Sequence, residues 1–165
     1  MPTNIQNQQV LRASRGFIVA RTPSLVAQSL TSMFTITGGR VLVQHLYAKL
    51  TVASDTSNAT SMVLGFTATE GAGANIANAI ATATVVGVVR EAGTHWTCTG
   101  MTIAGAAGAL IIGTTAASPG ALMNSFILGP GVITYTGSVG TNGATAAWYL
   151  CYVPLDPGVT VVQNP

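Results

Sequence analysis

Residues 34–52, FTITGGRVLVQHLYAKLTV, decide the fold. Phe34, Thr35, Ile36 and Thr37 alternate apolar with polar, the period of a strand that buries one face. Gly38-Gly39 follows, and a Gly-Gly pair between two such runs predicts a two-residue hairpin, because glycine supplies the positive φ angles these turns need. The second run extends to Val52. Leu42, Leu46, Ala48, Leu50 and Val52 form one side of it and read as core, with Gln44 the exception. Val41, Val43, His45, Tyr47, Lys49 and Thr51 form the other side, half polar and suited to solvent or a neighbour.

Downstream the same grammar repeats. Asp55 to Asn58 is a turn cluster, after which Met62, Leu64, Phe66 and Ala68 alternate with Ser61, Val63, Thr67 and Thr69. Residues 79–90 contain the β-branched run TVVGVV, which favours strand over helix. Further strands are predicted at 96–103, 109–114, 125–128, 131–137 and 146–153, with Gly129-Pro130-Gly131 and Asn142-Gly143 as turns. Short strands at intervals of about 8–12 residues mark a sandwich or barrel, not alternating β and α units. Upstream, residues 24–33 (SLVAQSLTSM) suit a helical turn or two. Residues 1–15 are polar, rich in Gln and Asn and without a period, and read as an extended arm.

Charge is the unusual quantity. Only 6% of the 165 residues are Asp, Glu, Lys or Arg, against about 25% in an ordinary soluble domain. The basic residues are Arg12, Arg15, Arg21, Arg40, Lys49 and Arg90; the acidic ones are Asp55, Glu70, Glu91 and Asp156. So neutral a surface promotes association, and the chain is expected to cover much of its exterior with copies of itself or a partner. A net charge of +2 without clustered Lys and Arg gives no basis for binding nucleic acid. Residues 101–122 are uncharged but broken by glycines, Pro119, Thr and Ser, so they do not form the apolar span a membrane helix needs. The polar beginning lacks a signal-peptide core.

Chemistry-bearing patterns are sparse. The four carboxylates sit in turns or strand ends, with nothing to set two of them at a catalytic separation. His95 near Glu91 among many serines invites comparison with a triad, yet no G-x-S-x-G elbow occurs, and a strand-edge histidine stacked near an aromatic is the plainer reading. Gly71 to Ala74 and Gly105 to Gly108 match no phosphate-binding signature. Cys98 and Cys151, with His45 and His95 far apart in sequence, give no metal-ligand spacing; a disulfide requires the two cysteine strands to be neighbours. In the last predicted strand Trp148, Leu150 and Tyr152 share one face, and Ala147, Tyr149, Cys151 and Val153 the other. Both faces are apolar, so the strand lies between layers or at a subunit interface. No enzyme, cofactor or metal site is expected.

Residues 34–52, together with residues 131–161 (GVITYTGSVGTNGATAAWYLCYVPLDPGVTV), resemble small structural proteins of tailed-bacteriophage virions, the class of capsid decoration (cement) and head-associated proteins. The resembling motifs are the GGxVLV start and the W-x-L-x-Y-V-P-L close, about a third of the chain; residues 53–120 match nothing of the kind. The resemblance implies a β-sandwich or β-barrel head protein, multimeric on the particle, that strengthens joints between major capsid subunits and carries no catalytic residues. The expectation is therefore an all-β protein: an extended N-terminal arm over residues 1–24, then a single jelly-roll-like sandwich or barrel over residues 25–165. Its partners would be the major capsid protein and itself, as a homotrimer or dimer, within a virion made in the host cytoplasm. Arg12, Arg15, Arg21 and Tyr149 are the expected partner-binding residues. The alternatives are a tail, neck or head-fibre component, or a glycan-binding module for host attachment with Trp96 or Tyr149 as platform.

Overall fold

The computed structural model describes residues 16–25, 30–53, 60–69, 77–85, 92–93, 95–98, 108–113, 125–137 and 143–165. Its strands are β1 (Phe17–Leu25), β2 (Thr31–Thr37), β3 (Val41–Val52), β4 (Thr60–Ala68), β5 (Ala77–Val85), β6 (His95–Cys98), β7 (Gly108–Gly113), β8 (Phe126–Leu128), β9 (Gly131–Gly137), β10 (Thr145–Pro154) and β11 (Thr160–Gln163). There is no helix among the described residues, and none long and apolar enough to cross a membrane. Pairing runs β1-β10-β3-β6-β7 through one layer and β5-β4-β9-β2-β11 through the other, with β8 alongside β3. All pairs are antiparallel except a short parallel contact, Ala81 and Thr82 of β5 against Gly108 and Ala109 of β7, which joins the layers on one side.

Between the layers lies one core. Leu46, Ala48 and Leu50 of β3 with Trp148 and Leu150 of β10 face Phe34 and Ile36 of β2, Leu64 of β4, and Ile133 and Tyr135 of β9. Tyr135 and Trp148 meet across it at 5.3 Å and 48°, and burial pushes the Tyr135 phenol pKa up. Gly131 shows how tight the packing is. A Cβ there would strike the Phe66 ring and the Thr67 carbonyl, and a backbone carbonyl cannot swing aside as a flexible side chain can. Gly131→Ala is therefore expected to cost about 2 kcal/mol through overpacking, to be read as a lowered urea midpoint with unchanged slope.

Three local expectations give way. Gly38-Gly39 does not make a hairpin: β2 pairs with β9 and β11, whereas β3 pairs with β10, β6 and β8. The glycines turn the chain from one layer to the other. Gly39 holds φ at 151°, and a Cβ on it would lie 2.7 Å from Asp156 Cβ, so the corner requires glycine on both counts. Second, the core face of β3 changes phase. Cys151 pairs with His45 but Tyr152 pairs with Val43, leaving Gln44 as an extra residue. This bulge puts Val41 and Val43 inside in place of Leu42, and Leu46, Ala48 and Leu50 inside beyond it. Gln44 is thus the switch point. Third, residues 17–24 belong to the sheet and not to an arm: Phe17 to Arg21 pair with Tyr152 to Trp148. A register shift between Arg21 and Ser24 absorbs Pro23, as a proline in an edge strand requires. The helical turns expected over 24–33 are replaced by strand at Ser24, Leu25 and Thr31 to Met33, with residues 26–29 outside the described residues.

The Gly38-Gly39 corner is held from the other end of the chain. Asp156 accepts from the Arg40 backbone N–H (2.8 Å), its Nε (2.9 Å) and its Nη2 (2.8 Å). These bonds hold the Asp156 carboxyl pKa down at about 2. Because the folded value is depressed, the stabilisation is present above the ordinary carboxylate range and is lost as pH falls toward 2. In a carbon-detected NMR titration the Asp156 carboxyl is expected to show its midpoint at about 2 and to rise in Arg40→Ala, only part of the way to the ordinary range, because the residue 40 backbone N–H still donates to it.

Candidate partner-binding face

Side chains alternate across a strand, so the buried set of β10 (Ala146, Trp148, Leu150, Tyr152) leaves Ala147, Tyr149, Cys151 and Val153 on the outer face of the β1-β10-β3 layer. Pairing then fixes what stands beside them. Val153 is level with Leu42, and Leu42 with Ile127 of β8. Cys151 lies between His45 and Ile18, Tyr149 between Tyr47 and Ala20, and Ala147 beside Lys49, which is in turn level with His95.

The middle of this face is aromatic. Tyr47 and Tyr149 stack at 4.9 Å and 14°, and His95 extends the stack on the far side of Tyr47 at 6.4 Å and 14°. Burial, and then the neighbouring Cys151 and Tyr149, push the Tyr47 phenol pKa up. Around the stack Ile18 is 63% exposed and Ile127 59%. Among the described strand residues of this face, Lys49 is the only Asp, Glu, Lys or Arg.

The outer face of the opposite layer has another character. Thr35, Thr37 and Thr160 project from β2 and β11, with Thr37 and Thr160 hydroxyls hydrogen-bonded at 2.7 Å and the Asn164 amide donating to Thr35 Oγ1 at 2.9 Å. Val162, level with Thr35, stands exposed among these hydroxyls.

Of the residues expected to bind partners, Tyr149 lies at the centre of this face, half-buried by its neighbours. Arg21 is elsewhere and engaged within the chain: only 5% exposed, it donates through Nε to the Asn164 carbonyl (3.2 Å) and through Nη2 to the Pro165 carbonyl (3.1 Å). Burial pushes its pKa down. Arg12 and Arg15 lie outside the described residues, as does Glu91. Ile18 and Ile127 escaped the sequence reading. Ile18 falls in the stretch that reads as an arm, and the face of Ile127 depends on which residue of β3 it pairs with.

Cys151 is a free, buried thiol whose pKa is pushed up by burial, which makes it a poor nucleophile. β3 separates its strand from β6, so Cys98 lies two strand spacings away, roughly 9–10 Å between Cα atoms, too far for a disulfide. Among the described residues no three His, Cys, Asp or Glu side chains gather as a metal site would need. No protein-family model matches the chain, and no curated protein and no solved structure matches it either.

Proposed function

We propose that this chain is a structural protein of a tailed-bacteriophage particle, a decoration or cement protein that binds and stabilises the capsid shell by surface contact with the major capsid protein and with copies of itself. One observation carries the contact role: the aromatic and aliphatic outer face of β1, β10 and β3, with Lys49 the single full charge among its described strand residues. Half-buried aromatics with the exposed Ile18 and Ile127 at their margins suit an interaction site, and a chain that is 6% charged has little charge to keep it dispersed. The phage assignment rests on the sequence resemblance in residues 34–52 and 131–161, and those segments supply β3, β9, β10 and β11, much of the core and of this face.

The strand order supports a jelly roll. β3 lies beside β10 in one layer and β4 beside β9 in the other, so successive antiparallel pairs nest as the chain wraps, the arrangement of double-sheet capsid and lectin domains. Arg12 and Arg15, ahead of β1, would supply the positive charge that grips the shell.

Cosedimentation with phage heads lacking the protein tests this reading. Binding that saturates at a fixed ratio to the major capsid protein supports it, and removal of residues 1–15 should weaken that binding. Heads that take up no protein at micromolar concentration overturn it and move the chain to the tail, neck or fibre.

A further inference from the structure

We infer that the outer face of the β1-β10-β3 layer, centred on Tyr149, is where a second copy of this chain sits. The inference deepens the contact role proposed above and does not depend on the capsid. Three observations select the occupant.

The first is charge. A nucleic acid would demand several cations, and an acidic or basic protein surface would demand opposite charges in register. Among its described strand residues this face offers Lys49, His45 and His95 and no acid. A surface matched to it is itself neutral and apolar, and the face of another copy meets that description.

The second is size. Four strands at about 4.8 Å and the ten residues of β10 at about 3.4 Å give a plan of roughly 19 by 34 Å, or about 650 Å². That plan is of the order of the ~800 Å² per partner of a stable protein–protein interface.

The third is shape and position. Tyr47 and Tyr149 lie nearly parallel, 14° apart, as a flat plate with Ile18 and Ile127 standing exposed toward its margins. Central aromatics in an apolar surround are the anatomy of an interface hot spot. The described outer face of the other layer mixes hydroxyl-bonded threonines with Val162, whereas the Tyr47–Tyr149–His95 stack belongs to this face and singles it out.

The test is the mass of the full chain by sedimentation velocity and light scattering between about 1 and 100 µM, the range in which such interfaces dissociate. The expected mass is an integer multiple, two or more, of 16.7 kDa. Tyr149→Lys should weaken association by about 30-fold or more, as loss of a hot spot does. Ile18→Lys, at a position already exposed and so harmless to folding, should weaken it in the same direction. Val162→Lys, 53% exposed on the opposite layer, should leave the mass unchanged. A wild-type monomer at the highest concentration overturns the inference. So does an oligomer indifferent to both Tyr149→Lys and Ile18→Lys, or a monomer that binds immobilised glycans through Tyr149. The two readings fail separately: an oligomer built through this face that ignores phage heads refutes the decoration role alone, and a monomer that saturates heads refutes only this inference.

Discussion

Trp148→Ala is expected to remove about 3–5 kcal/mol of stability, a large share of the 5–15 kcal/mol a domain typically holds. Trp148 is 2% exposed and projects inward from β10, which is flanked by β1 and β3. Its ring leans on Tyr135 of the facing layer, so alanine removes both a large buried surface and an aromatic contact that ties the layers. The backbone on either side is fixed by pairing with Arg21 and Ala48; it cannot collapse into the space, and a cavity remains. For a chain of this length each kcal/mol lowers the melting temperature by roughly 2–4 °C, so the thermal midpoint should fall by about 6–20 °C by circular dichroism. Trp148→Phe should recover much of the loss, because it keeps a ring against Tyr135. A Trp148→Ala protein that melts within a degree or two of wild type would mean the layers are not joined where the structure puts them.

The strand alternation around Met62 to Thr69 was legible because a period of two survives in a single sequence; of the β-branched run from Thr84, only Thr84 and Val85 lie among the described residues, in β5. The doubly apolar character of the last long strand was legible too, which is why Tyr149 could be singled out. What escaped was non-local. The Gly38-Gly39 pair has the same chemistry in a hairpin and at a corner between layers; only the partners of β2 and β3, more than ninety residues away in β9, β10 and β11, distinguish them. The bulge at Gln44 likewise depends on β10, where a single residue step on one strand spans two on the other. A reading that carries one phase through residues 41–52 must then exchange Leu42 for Val43. Arg21 misled for a related reason. An arginine in a polar N-terminal stretch resembles a surface charge until the other end of the chain is laid against it.

That closure is where the second large effect is expected. The pairing path begins at β1 and ends at β11, and these two edge strands lie side by side without a backbone ladder in the described pairing. Arg21 bridges them, its guanidinium reaching the Asn164 and Pro165 carbonyls, while the Asn164 N–H returns to the Met33 carbonyl at 2.9 Å. Hydrogen bonds from a charged donor contribute about 1.5–3 kcal/mol each. Arg21 lies under the seam and not in the deep core, so the freed carbonyls regain some water, and Arg21→Ala should cost about 3 kcal/mol in total. Its signature is local. Hydrogen exchange should accelerate at Thr160, Val162 and Asn164, the β11 amides that face β2, before it changes in β3 or β10, because β11 has β2 as its one strand partner. Arg21→Lys should restore little, since an ammonium cannot reproduce the planar fork that spans two carbonyls. Removing Asn164 and Pro165 should destabilise a protein already carrying Arg21→Ala much less than it destabilises wild type. Such a double-mutant cycle, read from urea midpoints, assigns the coupling to this seam; strict additivity would show that Arg21 stabilises the domain by some other contact.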